Sequence, residues 1–115
     1  MRGGLRHLIQ LSSPLVDRNS KRTADFTLKN RIVAVSMFRT FAEGDGLMPY
    51  GPNRPQYHRR LAIYIDKLLK GAKPGDLPVE QPTTFELLID LKTAKALGLT
   101  IPPSLLQRAD QVIDP

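Results

Sequence analysis

The sequence predicts an α/β fold of three layers, αβα, in which a mostly parallel sheet lies between helices. Two observations support this prediction. Strand-like and helix-like patterns alternate along the chain, and residues 32–36 form a continuous β-branched and apolar run that is typical of a strand buried on both faces. Segments that alternate in this way are joined by right-handed crossovers in parallel sheets.

The first part of the chain supplies a strand, a helix and the buried strand. Residues 7–12 form the first strand, which ends before Pro14 because proline cannot continue a hydrogen-bond ladder. Ser20 is a good N-cap for the helix that follows. Asn30 is expected to stop this helix in the left-handed conformation.

The middle of the chain is dominated by one long helix. A short helix over residues 39–43 ends at the turn 44–46, and residues 47–48 give a very short strand before Pro49. Asn53 then caps the long helix, and Gly71 stops it. Its apolar positions follow helical spacing and form one stripe that we expect to pack in the core. The stripe consists of Tyr57, Leu61, Tyr64, Ile65 and Leu68.

The last part of the chain predicts one strand and two helices. Residues 85–91 form the strand, and residues 93–97 a short helix that Gly98 closes. A final helix begins at residues 102–104. Its stripe is Leu105, Ala109, Val112 and Ile113.

These elements predict a single α/β domain over residues 1–115, with a hinge-like loop at about 72–82 and the C-terminal strand and helices in 83–115. Four strands make a small sheet, and the chain opens directly on a strand. We therefore expect this domain to be part of a larger sheet or lobe.

Composition excludes several classes of protein. The chain has 17 Lys+Arg, 11 Asp+Glu and no cysteine, which excludes a disulfide scaffold, a thiolate zinc site and a cysteine nucleophile. Apolar runs are too short for a membrane-spanning helix. The net charge of +6 is concentrated in residues 1–40. A solvated basic face explains it best, with a nucleic-acid footprint, an acidic partner and a membrane surface as alternatives.

Ligands of parallel sheets collect beyond the carboxyl ends of the strands. Three segments lie there and combine hydroxyl groups, backbone N–H groups and aromatic rings, which suit a small polar solute with an apolar part. The candidate ligand-binding residues are Ser12, Ser13, Ser36, Phe38, Tyr50 and Gly51. The alternative is that the serines only end strands and the rings pack in the core.

Catalytic signatures are absent from the sequence. Residues 44–46 supply two glycines of a dinucleotide fingerprint, but Pro49 stands where the third should fall. His7 and His58 are far apart, and neither Ser12 nor Ser13 has a base near it in the sequence. We therefore expect no enzyme, no metal site and no cofactor.

Longer stretches of the sequence resemble a known family. They are LMPYGPN at 47–53, YHRR at 57–60, YIDKLLKGAKP at 64–74, DLPVEQP at 76–82 and LKTAKALGLTIP at 91–102. Together with LSSPL at 11–15, they are similar to the ABC transporter substrate-binding proteins of bacteria. The resemblance runs from about Leu8 to Ile113 and corresponds to the C-terminal portion of those proteins.

The resemblance implies a lobe of the type I periplasmic-binding fold and a function in solute recognition for an ABC importer. Family members are periplasmic receptors that clamp a small solute, in some cases an amino acid, and deliver it to permease subunits. The chain itself shows no signal peptide, so the expected location is periplasmic by resemblance and cytoplasmic if it is made as given. Nucleic acid is not an expected partner.

Two alternatives stay open at this point. The chain is a truncated, non-binding remnant that folds by self-association through the surface left by the missing lobe, or it is a basic module that binds nucleic acid or a membrane surface. A homo-oligomer is the expected assembly under the first of these.

Overall fold

The computed structural model describes Gly4 and residues 6–114, and it shows an alternating α/β order. The described elements are β1 His7–Gln10, α1 Pro14–Arg18, α2 Ser20–Lys29, β2 Val33–Ser36, α3 Thr40–Glu43, β3 Met48–Pro52, α4 Arg54–Leu69, β4 Phe85–Asp90, α5 Leu91–Ala96, α6 Pro103–Leu106 and β5 Gln111–Ile113.

The five strands form one sheet in the order β1-β2-β3-β4-β5. The pairs β1/β2, β2/β3 and β4/β5 are parallel. Gln10 lies opposite Ser36, and Ser36 lies opposite Pro49. The predicted α/β class with a mostly parallel sheet is therefore confirmed.

The chain divides into two compact units. Unit 1 consists of the chain up to Gly51 and from Glu86 onward, and unit 2 of Pro52–Phe85. Unit 2 contains α4 and the segment 73–84, here called the strap, which begins with a 3-10 turn at Pro74–Asp76.

The core of unit 1 is built around one aromatic ring. Phe41 is fully buried and clusters with Ala24 of α2 and Ala34 of β2, while Leu8 of β1 packs against them. Two alanines facing the ring leave room for it, which is how large and small side chains fill a core without voids. In β4, residues 87–90 are all buried, so the sheet is covered on both faces there.

The first correction concerns the end of the chain. The predicted last helix stops at Leu106, and Gln111–Ile113 is a strand paired with β4. The reason lies in reciprocal hydrogen bonds: the Asp110 N–H donates to the Leu87 carbonyl at 2.8 Å, and the Leu87 N–H donates to Asp110 Oδ2 at 2.8 Å. These two bonds dock the segment beside β4 and outweigh its weak helical pattern.

The second correction concerns β3. The strand was expected to end before Pro49 but spans Met48–Pro52, between β2 and β4. Pro49 is fully buried there. The strand was predicted to end there because proline lacks the N–H that a ladder uses. Pro49 nevertheless keeps its carbonyl as an acceptor, and its apolar ring is buried in the interior.

Two helix boundaries also differ from expectation. The left-handed residue after α2 is Arg31, with φ 53°, whereas Asn30 has φ −95°. Asn30 instead donates its side-chain amide to the Phe26 carbonyl at 2.8 Å. Helix α5 begins at Leu91 because Asp90 Oδ1 caps it, accepting from the Lys92 N–H at 2.9 Å.

Helix α1 was not anticipated, and the stripe of α4 does not pack in a core. Ser13 caps α1 and Pro14 opens it, a pairing that is typical of a helix start. In α4 no residue is buried, and Leu61 remains 49 % exposed. The helix has the predicted pattern and an uncovered apolar side.

Candidate functional site

The candidate site lies at the sheet edge where β1, β2 and β3 end. Because Gln10 is opposite Ser36 and Ser36 is opposite Pro49, the residues that follow these three positions occupy the same edge of unit 1. The structure thus brings the three predicted segments together. All six candidate residues belong to unit 1.

Ser12 and Ser13 follow β1 and differ in what their hydroxyls do. Ser12 is exposed, and its Oγ donates to Asp17 Oδ2 at 3.4 Å. Ser13 is half-buried and caps α1, its Oγ accepting from the Val16 N–H at 3.2 Å. A capping hydroxyl retains its own O–H as a donor, so Ser13 can still donate to a ligand.

Ser36 ends β2 on the buried face, at 5 % exposure. Its neighbour across the ladder is Gln10, which is 7 % exposed and has no hydrogen-bond partner for either side-chain amide atom among the described residues. The Thr40 hydroxyl is buried and unpartnered in the same sense. A buried polar group without a partner costs about 1–3 kcal/mol, so Gln10 is a costly choice at an inward-facing position.

The two aromatic candidates follow β2 and lie within β3: Phe38 comes two residues after the end of β2, and Tyr50 is the middle residue of β3. Phe38 is half-buried and Tyr50 is 56 % exposed. Gly51 is buried, and a Cβ atom placed there would overlap the Met37 carbonyl. The absence of a side chain at Gly51 therefore lets β3 approach the loop after β2 and fixes the position from which Tyr50 projects.

The cation nearest to this edge in sequence is Arg39, and it is engaged. Arg39 Nε lies 3.2 Å from Glu43 Oε1, and its Nη2 donates to Gln111 Oε1 at 2.6 Å. The exposed surface of the edge carries the apolar side chains Leu11 and Leu15 as well as Tyr50, together with the Asp17 carboxylate that Ser12 contacts. Such a surface suits a solute that is apolar or aromatic and carries hydrogen-bonding groups.

Unit 2 contains two hollows of its own. A cavity of about 130 Å³ lies at the start of α4, beside Asn53, Gln56 and the end of the strap. A larger groove of about 370 Å³ lies between α4 and the strap. Both are lined by Tyr57, Arg60 and Glu80.

Electrostatics in unit 2 centre on the pair Arg60–Glu80. Arg60 Nε donates to Glu80 Oε2 and Arg60 Nη2 donates to Glu80 Oε1, each at 2.6 Å. The Arg60 guanidinium lowers the pKa of Glu80, and Glu80 in turn raises the pKa of Arg60. The Tyr64 hydroxyl donates to the Pro78 carbonyl at 2.5 Å, and loss of solvent raises the pKa of Tyr64. These contacts hold the strap against the helix.

Sequence reasoning missed Gln10 and both hollows of unit 2. A signal for Gln10 was present, since a polar residue stands at the inward position of a strand in which Leu8 also faces inward. No signal marked the Arg60–Glu80 pair, because twenty residues separate the partners.

Two negative findings apply to Gly4 and residues 6–114. Within them, no cluster of His, Cys, Asp or Glu is arranged to hold a metal ion. Among the helices of this same part of the chain, none has both the length and the apolar character needed to cross a membrane.

Comparison with solved structures shows the fold. A conserved domain protein from Vibrio cholerae O1 biovar El Tor superposes with a TM-score of 0.87 at 23 % identity, over 92 % of this chain and 36 % of that chain. The ABC domain in complex with L-Trp from Streptococcus pneumonia gives 0.72 at 20 % identity, over 95 % of this chain and 57 % of that one. A ligand-free, open substrate binding protein with adhesive properties from Clostridium difficile gives 0.64 at 19 % identity, over 95 % and 36 %.

The chain therefore spans about a third of the length of two of these structures and a little over half of the third. Among curated proteins, none matches it. A family model described as ABC transporter substrate binding protein matches residues 27–113. That match takes in β2, β3, α4, the strap and the rest of the chain to β5, and by it the chain belongs to the ABC transporter substrate binding protein family.

Proposed function

We propose that this chain is the solute-binding component of an ABC-type importer and that it recognises a small molecule at the carboxyl ends of β1, β2 and β3. The observation that carries the proposal is the exposed apolar surface of this sheet edge, to which Leu11, Leu15 and Tyr50 contribute, together with the hydroxyls of Ser12 and Ser13 that follow β1. Family membership supports the same function.

The residues have distinct roles in this proposal. Ser13 donates a hydrogen bond to the polar part of the solute and Ser12, whose O–H is given to Asp17, accepts one, while Tyr50 and Phe38 stack on its apolar part. Ser36 and Gly51 are buried and form the wall behind these groups. One solved neighbour is complexed with L-Trp, and we propose an amino acid or a similar solute with an aromatic part for this chain as well.

The proposal also places the protein outside the cytoplasmic membrane, where it hands the solute to permease subunits. The interpretation of residues 72–82 as a hinge-like loop in a single α/β domain stays a prediction beside it. Nucleic acid has no role in this function. Contacts with nucleic-acid phosphates weaken steeply as the salt concentration rises. An affinity for the solute that does not fall with salt would therefore agree with this proposal.

The test is calorimetric titration of the protein with a panel of amino acids that includes L-tryptophan. Tyr50→Ala should weaken binding about tenfold or more, since an aromatic contact contributes roughly 1 kcal/mol beyond its buried area. Phe26→Ala is a matched control, because Phe26 is an aromatic residue of α2 with 57 % exposure against 56 % for Tyr50.

Equal affinities for the two variants would contradict the stacking role of Tyr50. A fall in the melting temperature of Tyr50→Ala without a fall in affinity would assign the ring to packing. If no member of the panel binds and none raises the melting temperature of the protein, the proposed solute class is wrong.

A further inference from the structure

Helix α2 has one buried side and one exposed side. Arg22, Phe26 and Lys29 are exposed, and their spacing of four and three residues places them in one row along the helix. The opposite side of the helix is packed inside unit 1. Its buried residues are Ser20, Ala24 and Thr27.

The exposed row extends from α2 into the end of α1. Helical hydrogen bonds run through the junction of the two helices: the Asn19 N–H donates to the Val16 carbonyl at 3.1 Å, and the Thr23 N–H donates to the Asn19 carbonyl at 3.0 Å. Arg18 is exposed and precedes Arg22 by four residues, so it lies at the start of the same row. We call this set the basic row. It consists of Arg18, Arg22, Phe26 and Lys29.

The charges of the basic row are not neutralised by the described chain. Within those residues, none of its three cations takes part in an ion pair. The two acids of these helices are engaged elsewhere: Asp25 Oδ1 lies 2.9 Å from Lys21 Nζ, and Asp17 Oδ2 accepts from the Ser12 hydroxyl at 3.4 Å. Cations that stand close together without carboxylates create a positive potential that attracts a polyanionic surface.

An aromatic ring stands among these cations. Phe26 is 57 % exposed, with Arg22 four residues before it and Lys29 three residues after it. A large apolar side chain gains free energy when it leaves water. Cations that attract lipid phosphates, combined with a ring that enters the headgroup region, are the features by which a folded protein binds an anionic bilayer.

Two other partners fit this surface less well. Proteins that bind single-stranded nucleic acid lay several aromatic rings along a positive groove, whereas the basic row offers one ring on the outer side of a helix. A second copy of this chain would bring the same cations face to face, which opposes association. An anionic bilayer requires only cations and an exposed ring at one level, and the basic row has both.

We propose that the basic row is a binding surface for an anionic phospholipid bilayer, in which the cations contact lipid phosphates and Phe26 enters the headgroup region. Each of the three cations should strengthen binding about fivefold. Such binding would keep a solute receptor close to its permease. The basic row contains none of the candidate solute-binding residues, so this proposal and the proposed function can fail separately.

The test is cosedimentation of the protein with vesicles of two compositions: phosphatidylcholine alone, and an equimolar mixture of phosphatidylcholine and phosphatidylglycerol. One double variant removes two charges from the basic row, Arg22→Gln with Lys29→Gln. The matched control removes the same charge elsewhere, Lys95→Gln with Arg108→Gln. Lys95 and Arg108 are exposed, lie outside α1 and α2, and form no ion pair within the described residues.

The parent should bind the mixed vesicles and not those of phosphatidylcholine alone, and binding should weaken as salt is added. The double variant of the basic row should bind about tenfold more weakly or worse, and the control within about twofold of the parent. Phe26→Ala should weaken binding about threefold or more. All variants should melt within about 2 °C of the parent, because the positions are exposed.

Three outcomes of this experiment would overturn the proposal. The first is that the parent binds neither kind of vesicle, or binds both equally. The second is that the two double variants lose equal affinity, which would assign binding to net charge. The third is that an oligonucleotide binds the parent more tightly than the mixed vesicles do and that Phe26→Ala leaves this binding unchanged, which would make nucleic acid the partner.

A second measurement removes no charge. The chain contains no tryptophan, so Phe26→Trp places a single indole emitter in the basic row. Its emission should shift to shorter wavelength when mixed vesicles are added, because the indole moves from water into the headgroup region. Tyr57→Trp is the control, since Tyr57 is 51 % exposed and lies on α4. No shift for Phe26→Trp, or an equal shift for both variants, would also overturn the proposal.

Discussion

Helix α2 buries Ser20, Ala24 and Thr27 along one side, whereas the longer helix α4 buries none of its residues. Both have apolar positions at helical spacing, and α4 has the larger apolar side chains. Helix α2 presents Ala24 to a ring, Phe41, that packs against it. Helix α4 presents Leu61 and Leu68 to an open groove. Apolar residues at helical spacing thus show which side of a helix is suited to burial. They do not show whether another element of the chain covers that side.

Removal of the ring that α2 packs against should have the largest effect on stability. Phe41→Ala should cost about 3–5 kcal/mol of unfolding free energy, because it leaves a cavity at a fully buried position. Leu61→Ala on α4 should cost no more than about 1 kcal/mol, since the side chain is half exposed. Urea denaturation of both variants measures the difference, and equal losses would show that α4 is packed after all.

A second prediction concerns the close approach of β3 to the loop after β2. Gly51→Ala should cost about 1–3 kcal/mol by overpacking, because its Cβ would overlap the Met37 carbonyl. Gly75→Ala, in the strap, is the control, since a Cβ there has no heavy atom within 4 Å. If thermal melts show the two alanines to be equally tolerated, β3 does not approach the loop after β2 as closely as described.

How far the sequence predicts such differences can be seen from particular residues. The buried run of β2, the cap Asn53 and the stop at Gly71 were all predictable, because each depends on the conformational preferences of neighbouring residues. The strand Gln111–Ile113 was not, because it depends on the bonds between Asp110 and Leu87. Local pattern carries no information about a partner more than twenty residues away.

The same distinction holds for the candidate site. Ser12, Ser13, Ser36, Phe38, Tyr50 and Gly51 could be placed on one sheet edge from the strand ends alone. Which of them are exposed could not be predicted, since Ser36 pairs with Gln10 of another strand and Gly51 lies against Met37 in the loop after β2. Gln10 was missed because its burial without a partner depends on residues distant in sequence, such as Ser36 opposite it in β2.

A third prediction concerns what stabilises each helix. Asn53 caps α4 through its side chain, whereas Asn19 makes no side-chain cap bond to α2. Asn53→Ala should therefore cost about 0.5–2 kcal/mol in the stability of α4, and Asn19→Ala clearly less at the α2 start. Hydrogen exchange of the first turn of each helix measures both effects, and a reversed order would mean that caps matter more for α2.

The smallest expected effect lies at the Arg60–Glu80 pair. The pKa of Glu80 is lowered from its ordinary value of 4.5, so the contribution of this pair is complete above that pH and is lost as the pH falls through the lowered pKa. The protection of the strap amides, measured as exchange relative to the intrinsic rate at each pH, should therefore fall over that acidic range. Glu80→Gln should show the faster exchange already at neutral pH and lose the acid dependence.

Glu86→Gln is the control for that experiment, since Glu86 lies in β4 outside the strap. Strap exchange that is the same in Glu80→Gln and in the parent at neutral pH would show that the Tyr64 bond to the Pro78 carbonyl holds the segment by itself.

The prolines of the strap also restrict the unfolded chain. Pro74, Pro78 and Pro82 recur at every fourth position of it, and each proline ring fixes one backbone dihedral angle. The number of conformations open to this segment is therefore small even in the unfolded ensemble. A segment with little freedom to lose can remain ordered on a few polar contacts, without a hydrophobic core of its own beneath it.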